Sequence, residues 1–330
     1  MSKLLPVRFR GTGRYVPDAV LNNQHFADYL DTSDEWIMTR TGIRERRQAA
    51  PEEWTSTMAE QAARNALEDA GLQPSDLDLI ICATATSDCP LPSTAAFIQA
   101  TLGAEEIPSF DVSAACAGFL YGTATAAGFI CSGMYERVLV VGAETLTRAA
   151  DPQDRTTIVL FGDAAGAAIL ERSSSAEQGI LYYDMGCDGT KAEHIWIPAG
   201  GSRLPTSDTT VAERLHYIRM KGREVYKFAV NKLQQLIDNA LETTNLTPDD
   251  LKLVIPHQSN LRIIESARVR MGLPKDKIAV NIDRFGNTSA ASVILSLDEA
   301  RRDGTLEAGD IVLLVAIGAG LTWSTMIVRL

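Results

Sequence analysis

The sequence predicts an α/β protein made of two duplicated halves, and three observations lead to this fold class. Segments with helical periodicity alternate along the chain with short apolar runs that have β propensity. The runs at 137–142 and 311–316 are apolar on both faces, as strands covered by helices on each side should be. These two runs stand 174 residues apart, and other segments repeat at the same distance. A period this long indicates a duplicated domain rather than an array of short repeats.

The repeat is visible in two further pairs of segments. Residues 71–85 match residues 245–259, and residues 113–118 match residues 287–292. Three matches in one register are improbable by chance. The repeat therefore predicts that matched segments occupy equivalent places around a pseudo-twofold axis.

Each repeat begins with a helix, which a polar turn and a strand follow. In 56–70 the apolar residues keep the spacing of one helical face, and Gly71 stands where that helix would end. The segment 224–243 has the same periodicity. A proline-containing turn follows each helix, and the strands predicted after the turns cover 77–82 and 251–255.

The two halves meet in a predicted linker near 172–180, which is rich in serine and contains a glycine. We accordingly divide the chain into an N-terminal half, 1–175, and a C-terminal half, 176–330. The two halves should pack into one rigid body with a site at their junction.

Composition and charge exclude several classes of protein. A chain of 330 residues with 45% hydrophobic and 22% charged residues has the balance of a globular protein, not of a disordered one. The net charge of −11 disfavours nonspecific binding to nucleic acid or to an anionic membrane. The uncharged stretches 112–135 and 311–328 are long enough to span a membrane, but their small and polar residues favour burial inside the protein.

The cysteines and the N-terminus favour a cytoplasmic protein. Arg8 and Arg10 interrupt any apolar stretch that could act as a signal peptide. The five cysteines form no CxxC pair and no zinc-ligand spacing, so we expect a reducing environment and no metal site.

Cys116 is a candidate nucleophile. It lies in 111–119, where a β-type segment gives way to small residues suited to a buried helix. A cysteine at a helix N-terminus has its pKa lowered by the helix dipole and by free N–H groups, which favours the thiolate. The matched residue of the other half is Ala290, so packing alone does not require sulfur. A buried structural cysteine is the alternative interpretation.

His257 and Asn287 are placed near Cys116 by the repeat. His257 follows a predicted strand and matches Ala83, and strand ends in α/β folds display catalytic groups. Asn287 matches Ser113, three residues before Cys116. The duplication thus predicts a Cys, His and Asn constellation at the pseudo-twofold axis. A surface histidine and a helix-capping asparagine are the alternatives.

Two glycine-containing segments have different interpretations. Residues 318–324 predict a tight turn between two apolar runs, where backbone N–H groups can approach a substrate oxygen as in an oxyanion hole. The GTG at 11–13 lacks the third glycine of a dinucleotide-binding loop, which argues against a nicotinamide-dependent dehydrogenase.

Seven motifs along the whole chain form a distinctive ordered set. They are DTSDEWIMTRTGIRER at 31–46, SAACAGF at 113–119, DPQDR at 151–155, FGDAAGAAIL at 161–170, PHQSNLRII at 256–264, DRFGNTSAAS at 283–292 and GAGLTWS at 318–324. In this set the sequence resembles β-ketoacyl-acyl-carrier-protein synthase III of the thiolase superfamily. The resemblance implies a thiolase-like fold with a duplicated five-layered αβαβα core, in the condensing enzyme that initiates type II fatty acid synthesis.

The resemblance also implies a ping-pong, decarboxylating condensation by a homodimeric acyltransferase. Cys116 would attack the thioester of a short acyl-coenzyme A, while backbone N–H groups of Cys116 and Ala319 hold the oxyanion. Malonyl-acyl carrier protein would then lose carbon dioxide while His257 and Asn287 hydrogen-bond its thioester carbonyl. Attack on the acyl-cysteine gives a 3-ketoacyl-acyl carrier protein. Coenzyme A thioester is a substrate here, and no cofactor is implied.

The resemblance assigns the coenzyme A contacts to five residues. Trp36 and Arg155 would surround the adenine, with Thr32, Arg40 and Asn260 along its approach. Arginine suits this task because it stacks on aromatic bases and pairs with phosphate. A half-buried surface aromatic and solvated charges are the alternatives.

Because the sequence departs from the family pattern at several positions, it does not determine the chain length of the primer. Leu91 stands where many members have phenylalanine at the dimer-crossing tip of the acyl pocket, and Ile317 replaces another common phenylalanine. Ala319 replaces the middle one of three glycines, and Ser259 replaces a common alanine. Starter-unit ketosynthases or acyltransferases of secondary metabolism carry nearly the same motifs, so the sequence keeps that function as an alternative.

An acidic carrier protein requires a basic face on this acidic chain. Residues 214–232 hold six basic residues and one acidic residue, and Arg223 and Lys227 point the same way on the predicted helix. A solvated helix face is the alternative. The predicted carrier-protein contacts are Gln258, Ser259, Asn260, Leu261, Arg262, Arg223, Lys227, Arg268 and Arg270.

Overall fold

The structure is a computed structural model that describes residues 5–175 and 177–330. It contains two large sheets, with helices between them and on their outer faces. The α/β class predicted from the sequence is confirmed.

The first half of the chain builds a five-stranded sheet. Its elements are β1 (Val7–Tyr15), β2 (Ala19–Asn22), α1 (Asn23–Ala27), α2 (Asp34–Thr41), β3 (Glu45–Gln48), α3 (Thr55–Ala70), β4 (Leu79–Ala83), α4 (Thr94–Leu102), β5 (Ser109–Val112), α5 (Gly118–Ser132), β6 (Arg137–Thr145), α6 (Leu146–Ala149) and β7 (Asp163–Arg172). The strand order is β1-β7-β6-β4-β5. Strand β4 lies parallel to β5 and β6, whereas β7 is antiparallel to β1 and β6.

The second half builds a four-stranded sheet. Its elements are β8 (Gly179–Cys187), β9 (Ile195–Trp196), α7 (Asp208–Ala212), β10 (Arg219–Met220), α8 (Gly222–Thr244), β11 (Leu253–Pro256), α9 (Leu261–Met271), α10 (Ile282–Phe285), α11 (Ala291–Arg302), β12 (Ile311–Gly318) and β13 (Thr322–Arg329). The strand order is β11-β12-β13-β8, with β11 parallel to β12. The short strands pair separately as β2-β3 and β9-β10.

The helices and sheets stack in five layers. Helices α3 and α4 pack on the outer face of the first sheet, and α8 and α9 cover the outer face of the second. Between the sheets lie α5 and α11, each in contact with strands of both. The predicted αβαβα core is confirmed.

The glycines of the GTG segment serve the packing of α3 on β1. A Cβ at Gly11 would lie 2.6 Å from the Ala66 carbonyl oxygen, and a Cβ at Gly13 would overlap the α3 backbone. Only a strand without side chains at these positions lets the helix approach so closely. These glycines are therefore packing residues, which agrees with the argument against a dinucleotide site.

The internal repeat is present in the structure. Helices α3 and α8 both end on a left-handed residue, Gly71 (φ 66°) and Asn245 (φ 56°), which stand 174 residues apart. A 3₁₀ turn follows each, at Pro74–Asp76 and Pro248–Asp250, and its aspartate accepts a hydrogen bond from the backbone N–H three residues earlier. Matched segments thus adopt the same local structure in both halves.

The connection between the halves runs from the end of β7 to the start of β8, inside the predicted linker. The predicted division falls at Ala176, which lies outside the described residues, and the division into 1–175 and 176–330 stays a prediction. Leu5 and Ile180 exchange backbone hydrogen bonds of 3.0 Å, so the halves are in direct contact.

One described helical segment, 115–132, has the length and apolar composition of a membrane span. Most of it is α5, which is packed between the two sheets, and its Phe119 and Leu120 are buried in the core that the sheets share. The segment is the central helix of the fold, which agrees with the burial inside the protein predicted for 112–135.

Candidate active site

A cavity of about 540 Å³ opens at the junction of the two halves. Its wall combines residues that are far apart in sequence, and it brings together Cys116, His257 and Asn287 as the repeat predicted. Other predicted residues on the wall are Trp36, Arg40, Arg223, Ser259, Asn260, Arg262, Ile317 and Ala319.

Cys116 lies in a 3₁₀ turn, Ala115–Ala117, between β5 and the first residue of α5. The prediction of a lowered pKa was wrong. Burial raises the pKa of Cys116 to about 12, the Glu144 carboxylate adds to the rise, and the Ser289 hydroxyl and the backbone N–H of Cys116 oppose it. The cost of burying the thiolate exceeds what the helix terminus offers. The resting residue is a thiol that must lose its proton when it reacts.

His257 stands at the carboxyl end of β11. Its backbone N–H donates to the Val315 carbonyl oxygen at 2.7 Å, and its Nδ1 lies 2.7 Å from Ser292 Oγ. Burial lowers the pKa of His257 to about 3. The imidazole is therefore neutral at physiological pH, and Ser292 fixes its orientation.

Asn287 is held by its backbone and by its side-chain oxygen. Its N–H donates to Leu160 O at 2.8 Å, and its carbonyl oxygen accepts from Gly162 N–H at 3.1 Å. The Ser289 N–H donates to Asn287 Oδ1 at 2.9 Å. Because the oxygen is engaged, the Nδ2 group is the part of the amide that can donate to a ligand.

The turn between β12 and β13 faces the backbone of Cys116. A Cβ on Gly318 would lie 2.7 Å from Cys116 N, so this strand end approaches the nucleophile without a side chain. The Thr322 hydroxyl donates to Ala114 O at 2.9 Å and ties the turn to the residues before Cys116. Ala319 follows Gly318 on the same cavity wall. Cys116 and Ala319, whose N–H groups are the predicted oxyanion donors, therefore line the same cavity.

The predicted coenzyme A residues gather around Trp36 on α2. The Arg40 guanidinium lies 4.6 Å from the Trp36 ring centroid, and that of Arg155 lies 5.4 Å from it. Asn260 donates its side-chain N–H to Arg40 O at 2.9 Å. Arg155 and Thr32 are not on the cavity wall, and the Thr32 hydroxyl is buried without a hydrogen-bond partner.

The two predicted acyl-pocket residues occupy different environments. Ile317, the penultimate residue of β12, lines the cavity. Leu91 is 86% exposed and lies outside the cavity of its own chain. Leu91 therefore does not line the cavity of its own chain, and its predicted place at the dimer-crossing tip of the acyl pocket stays a prediction.

The structure corrects part of the predicted carrier-protein contacts. Gln258 is fully buried, its Oε1 accepts from Asn281 N–H at 3.0 Å, and its Nε2 donates to Pro256 O at 2.9 Å. Its side chain is thus a structural link and not a surface contact. Leu261 is partly buried against the cluster that contains Ile37 and Phe161.

Part of the predicted basic segment is also neutralised. Arg214 and Arg219 both bind Asp151, and hydrogen bonding by Arg214 is the largest cause that lowers the pKa of Asp151 to about 2. Arg268 donates to Glu265 at 2.9 Å, and Arg270 lies 3.7 Å from an Asp238 oxygen. Among the predicted carrier-protein contacts, Arg223 and Arg262 are exposed cations on the cavity wall, with Lys227 one turn along α8.

Sequence reasoning missed three polar residues around the predicted catalytic groups. Ser292 contacts His257, Ser289 donates its N–H to Asn287 Oδ1, and the fully buried Glu144 accepts from Ser289 Oγ. Both serines belong to the DRFGNTSAAS motif, and Glu144 follows the apolar run 137–142. The signal in the sequence was position alone: the two serines follow Asn287 within one motif, and Glu144 follows the predicted strand 137–142.

Within the described ranges, no group of three or more His, Cys, Asp or Glu residues is placed to hold a metal ion. All five cysteines are free thiols.

Comparisons with known proteins agree with the fold and the motifs. Family models described as 3-oxoacyl-[acyl-carrier-protein (ACP)] synthase III and as its C-terminal part match residues 110–189 and 241–330. A protein of Caldanaerobacter subterraneus named Beta-ketoacyl-[acyl-carrier-protein] synthase III is 52% identical, and the match covers 97% of this chain and 96% of that protein.

Solved structures extend the similarity to three dimensions. The 3-oxoacyl-[acyl-carrier-protein] synthase III of Aquifex aeolicus has a TM-score of 0.90 at 44% identity, covering 98% of this chain and 100% of that one. A priming β-ketosynthase of a polyketide pathway has a TM-score of 0.90 at 36% identity, covering 100% and 98%. The thiolase-like fold implied by the motifs is confirmed.

Proposed function

This chain belongs to the 3-oxoacyl-[acyl-carrier-protein] synthase III family, and on that premise we propose that Cys116, His257 and Asn287 carry out its condensation. The enzyme is an acyltransferase of fatty acid biosynthesis, which condenses an acyl-coenzyme A primer with malonyl-acyl carrier protein. The observation that carries the residue assignment is the single cavity on which these three side chains converge from both halves.

Acylation is the first half-reaction. Cys116 Sγ attacks the thioester carbon of the primer, and the negative oxygen lies between the N–H groups of Cys116 and Ala319. The close approach of Gly318 to Cys116 N supports this oxyanion hole, because it sets the two backbones side by side. Coenzyme A leaves, and the acyl group stays on sulfur.

Decarboxylation is the second half-reaction, and it needs hydrogen-bond donors. The neutral imidazole of His257 donates from Nε2 if Nδ1 accepts the Ser292 hydroxyl, and Asn287 donates from Nδ2 because its oxygen is engaged. Both donors stabilise the enolate that forms as carbon dioxide leaves malonyl-acyl carrier protein. The enolate carbon then attacks the acyl-cysteine. Since decarboxylation supplies the carbanion, we infer that the reaction needs no cofactor.

Coenzyme A enters past Trp36. Arg40 on the cavity wall and Trp36 offer a stacking surface for adenine, and Arg40 offers positive charge for phosphate, while Arg155 beside the ring is ion-paired with Asp31 at 2.9 Å. Asn260 secures the Arg40 backbone at this entrance.

A homodimer completes the acyl pocket. The exposed Leu91 lies in the same half as β5, which is the edge strand of the first sheet and can pair with a second copy. Leu91 of each chain would close the partner's pocket opposite Ile317. We expect this pocket to accept primers longer than acetyl.

The acyl carrier protein docks on the basic side of the cavity mouth. Arg223, Lys227 and Arg262 are exposed there, and Arg262 stacks on Tyr226 at 5.4 Å. Ser259 and Asn260 follow His257 on the same wall. Local positive charge of this kind attracts an acidic protein even when the enzyme is acidic overall.

From the cysteine usage we infer that the enzyme acts in the cytoplasm.

Separate assays of the two half-reactions test the assignment. Cys116→Ser should fail to form an acyl-enzyme from acyl-coenzyme A, since a serine hydroxyl is a weaker acid and a weaker nucleophile than a thiol. His257→Ala and Asn287→Ala should retain more acylation than decarboxylation of malonyl-acyl carrier protein. A decarboxylation rate unchanged in both variants would remove them from this role.

A further inference from the structure

Asp151 is a buried carboxylate that binds two arginines, which stand 63 and 68 residues further along the chain. It lies just after α6. Arg214 donates to Asp151 Oδ1 from Nε at 3.1 Å and from Nη2, and Arg219 donates to Oδ2 from Nη1 at 3.0 Å. Charge-assisted hydrogen bonds of this kind are stronger than those between neutral groups. One carboxylate therefore joins two distant parts of the chain.

A backbone hydrogen bond and apolar packing strengthen the same junction. The Ile218 N–H donates to Ala149 O at 2.9 Å, and Arg219 Nη2 donates to Arg214 O at 2.9 Å. The Ile218 side chain is buried in one apolar cluster with Val159. The loop that carries the two arginines is thus held by ionic, backbone and apolar contacts together.

Both joined segments continue into the wall of the active-site cavity. Thr156 follows Asp151 by five residues, Met220 directly follows the second arginine, and both line the cavity. Ile195, which pairs with Met220 between β9 and β10, lines it too. Ile195 and Trp36 pack against the cluster that contains Ile218. The junction therefore determines how these parts of the wall stand relative to the Trp36 ring.

The ionic groups themselves stand back from the substrate. Among the described residues that line the cavity, none is Asp151, Arg214 or Arg219. They can act on a substrate only through the segments that they hold in place.

We propose that Asp151 is a positioning residue, which fixes the entrance for the nucleotide end of coenzyme A by clamping Arg214 and Arg219. The proposal rests on the proposed entry of acyl-coenzyme A past Trp36. Walls that are already ordered lose less conformational freedom when a substrate binds, so a loosened entrance raises KM. The chemistry at Cys116 does not depend on the clamp.

Two acyl donors of different length test the clamp. Single-turnover acylation is measured with acyl-coenzyme A and with the same acyl group on N-acetylcysteamine, which carries only the cysteamine end of pantetheine and no nucleotide. Asp151→Asn keeps the size of the side chain but removes the charge that holds two mutually repelling guanidinium groups together. It should raise the half-saturating concentration of acyl-coenzyme A about tenfold and leave the saturating rate unchanged. Acylation by acyl-N-acetylcysteamine should stay at the wild-type level, whereas general damage to the fold would slow both donors.

The arginine side of the clamp gives a second variant. Arg214→Gln combined with Arg219→Gln should raise the half-saturating concentration of acyl-coenzyme A to the same extent as Asp151→Asn. Adding Asp151→Asn to this pair should raise it no further, because the three side chains form one interaction. Additive effects would contradict the clamp. The arginine pair alone decides the question if Asp151→Asn does not fold.

A second acid that binds several arginines provides the matched control. Glu171 pairs with arginines, Arg8 and Arg10 among them, and does not line the cavity. Glu171→Gln should keep wild-type half-saturating concentrations of both donors. An unchanged value for acyl-coenzyme A in Asp151→Asn, or equal losses with both donors, would overturn the clamp. Failure of the wild type to form an acyl-enzyme from either donor would instead overturn the proposed function.

Discussion

Gly318 and Cys116 meet backbone to backbone across the junction of the halves, where a Cβ on Gly318 would lie 2.7 Å from Cys116 N. The contact joins the end of β12 to the turn before α5, so the proposed oxyanion site combines elements of both halves. An oxyanion hole depends on two N–H groups held at a fixed separation. In the proposed mechanism Gly318 therefore acts by the absence of a side chain, which lets the two backbones approach each other.

Gly318→Ala should impair acylation. The added methyl group must push the β12–β13 turn away from Cys116, and loss of one oxyanion donor costs about 10²–10³ in rate. Single-turnover acylation measures the effect. Gly201→Ala is the control, because a Cβ there meets no atom within 4 Å. Equal rates for both variants would show that the turn does not shape the oxyanion site.

Ser292→Ala should impair decarboxylation more than acylation. The variant removes the hydroxyl 2.7 Å from His257 Nδ1, and the loss of about one hydrogen bond, ~1.4 kcal/mol, lowers the rate roughly tenfold. Release of carbon dioxide from malonyl-acyl carrier protein is the measurement. Ser296→Ala, one helical turn along α11, removes a hydroxyl that bonds Ser292 O and not His257. Equal losses of decarboxylation rate in the two variants would show that the effect comes from a disturbed α11 and not from the orientation of His257.

The internal repeat and the motifs made most of this fold predictable. Matched helices, turns and strands follow from local patterns, and the difference between Cys116 and Ala290 indicated only that packing does not require sulfur there. The raised pKa of Cys116 was not predictable, because burial depends on the packing of both halves around it.

Ion pairs and hydrogen bonds between residues far apart in the sequence could not be predicted either. Arg214 counted as free positive charge until the structure placed it on Asp151, 63 residues away. Gln258 was likewise predicted to contact the carrier protein. In the structure it is buried, and its side chain makes four hydrogen bonds to backbone groups. Local patterns show which residues are charged or polar, but not which distant partners neutralise them.

Ile317→Phe should restrict the enzyme to primers with shorter acyl chains. Ile317 lines the cavity, so a larger side chain takes the volume that a longer acyl chain needs. We expect kcat/KM for octanoyl-coenzyme A to fall about tenfold relative to acetyl-coenzyme A. Competition among acetyl, butyryl and octanoyl primers measures this, with Ile311→Phe at the other end of β12 as the control. Sole use of acetyl by the wild type would show that other residues set the depth of the pocket.

Arg262→Glu should weaken docking of the carrier protein. Charge reversal at the cavity mouth should raise KM for malonyl-acyl carrier protein about tenfold at low salt, and less at high salt, because salt screens exposed charges. Acylation by acyl-coenzyme A should change little. Arg64→Glu on α3, in the opposite outer layer, is the matched charge control. Equal loss toward both substrates would assign Arg262 to coenzyme A binding.

The most direct test of the central claim is to locate the acyl group after incubation with acyl-coenzyme A in the absence of malonyl-acyl carrier protein. Proteolysis and peptide mass spectrometry then report which of the five cysteines carries it. We predict one acyl group per chain on the peptide that contains Cys116, and its disappearance when malonyl-acyl carrier protein is added. An acyl group on another cysteine, or none on any, would contradict the assignment of Cys116 as the nucleophile.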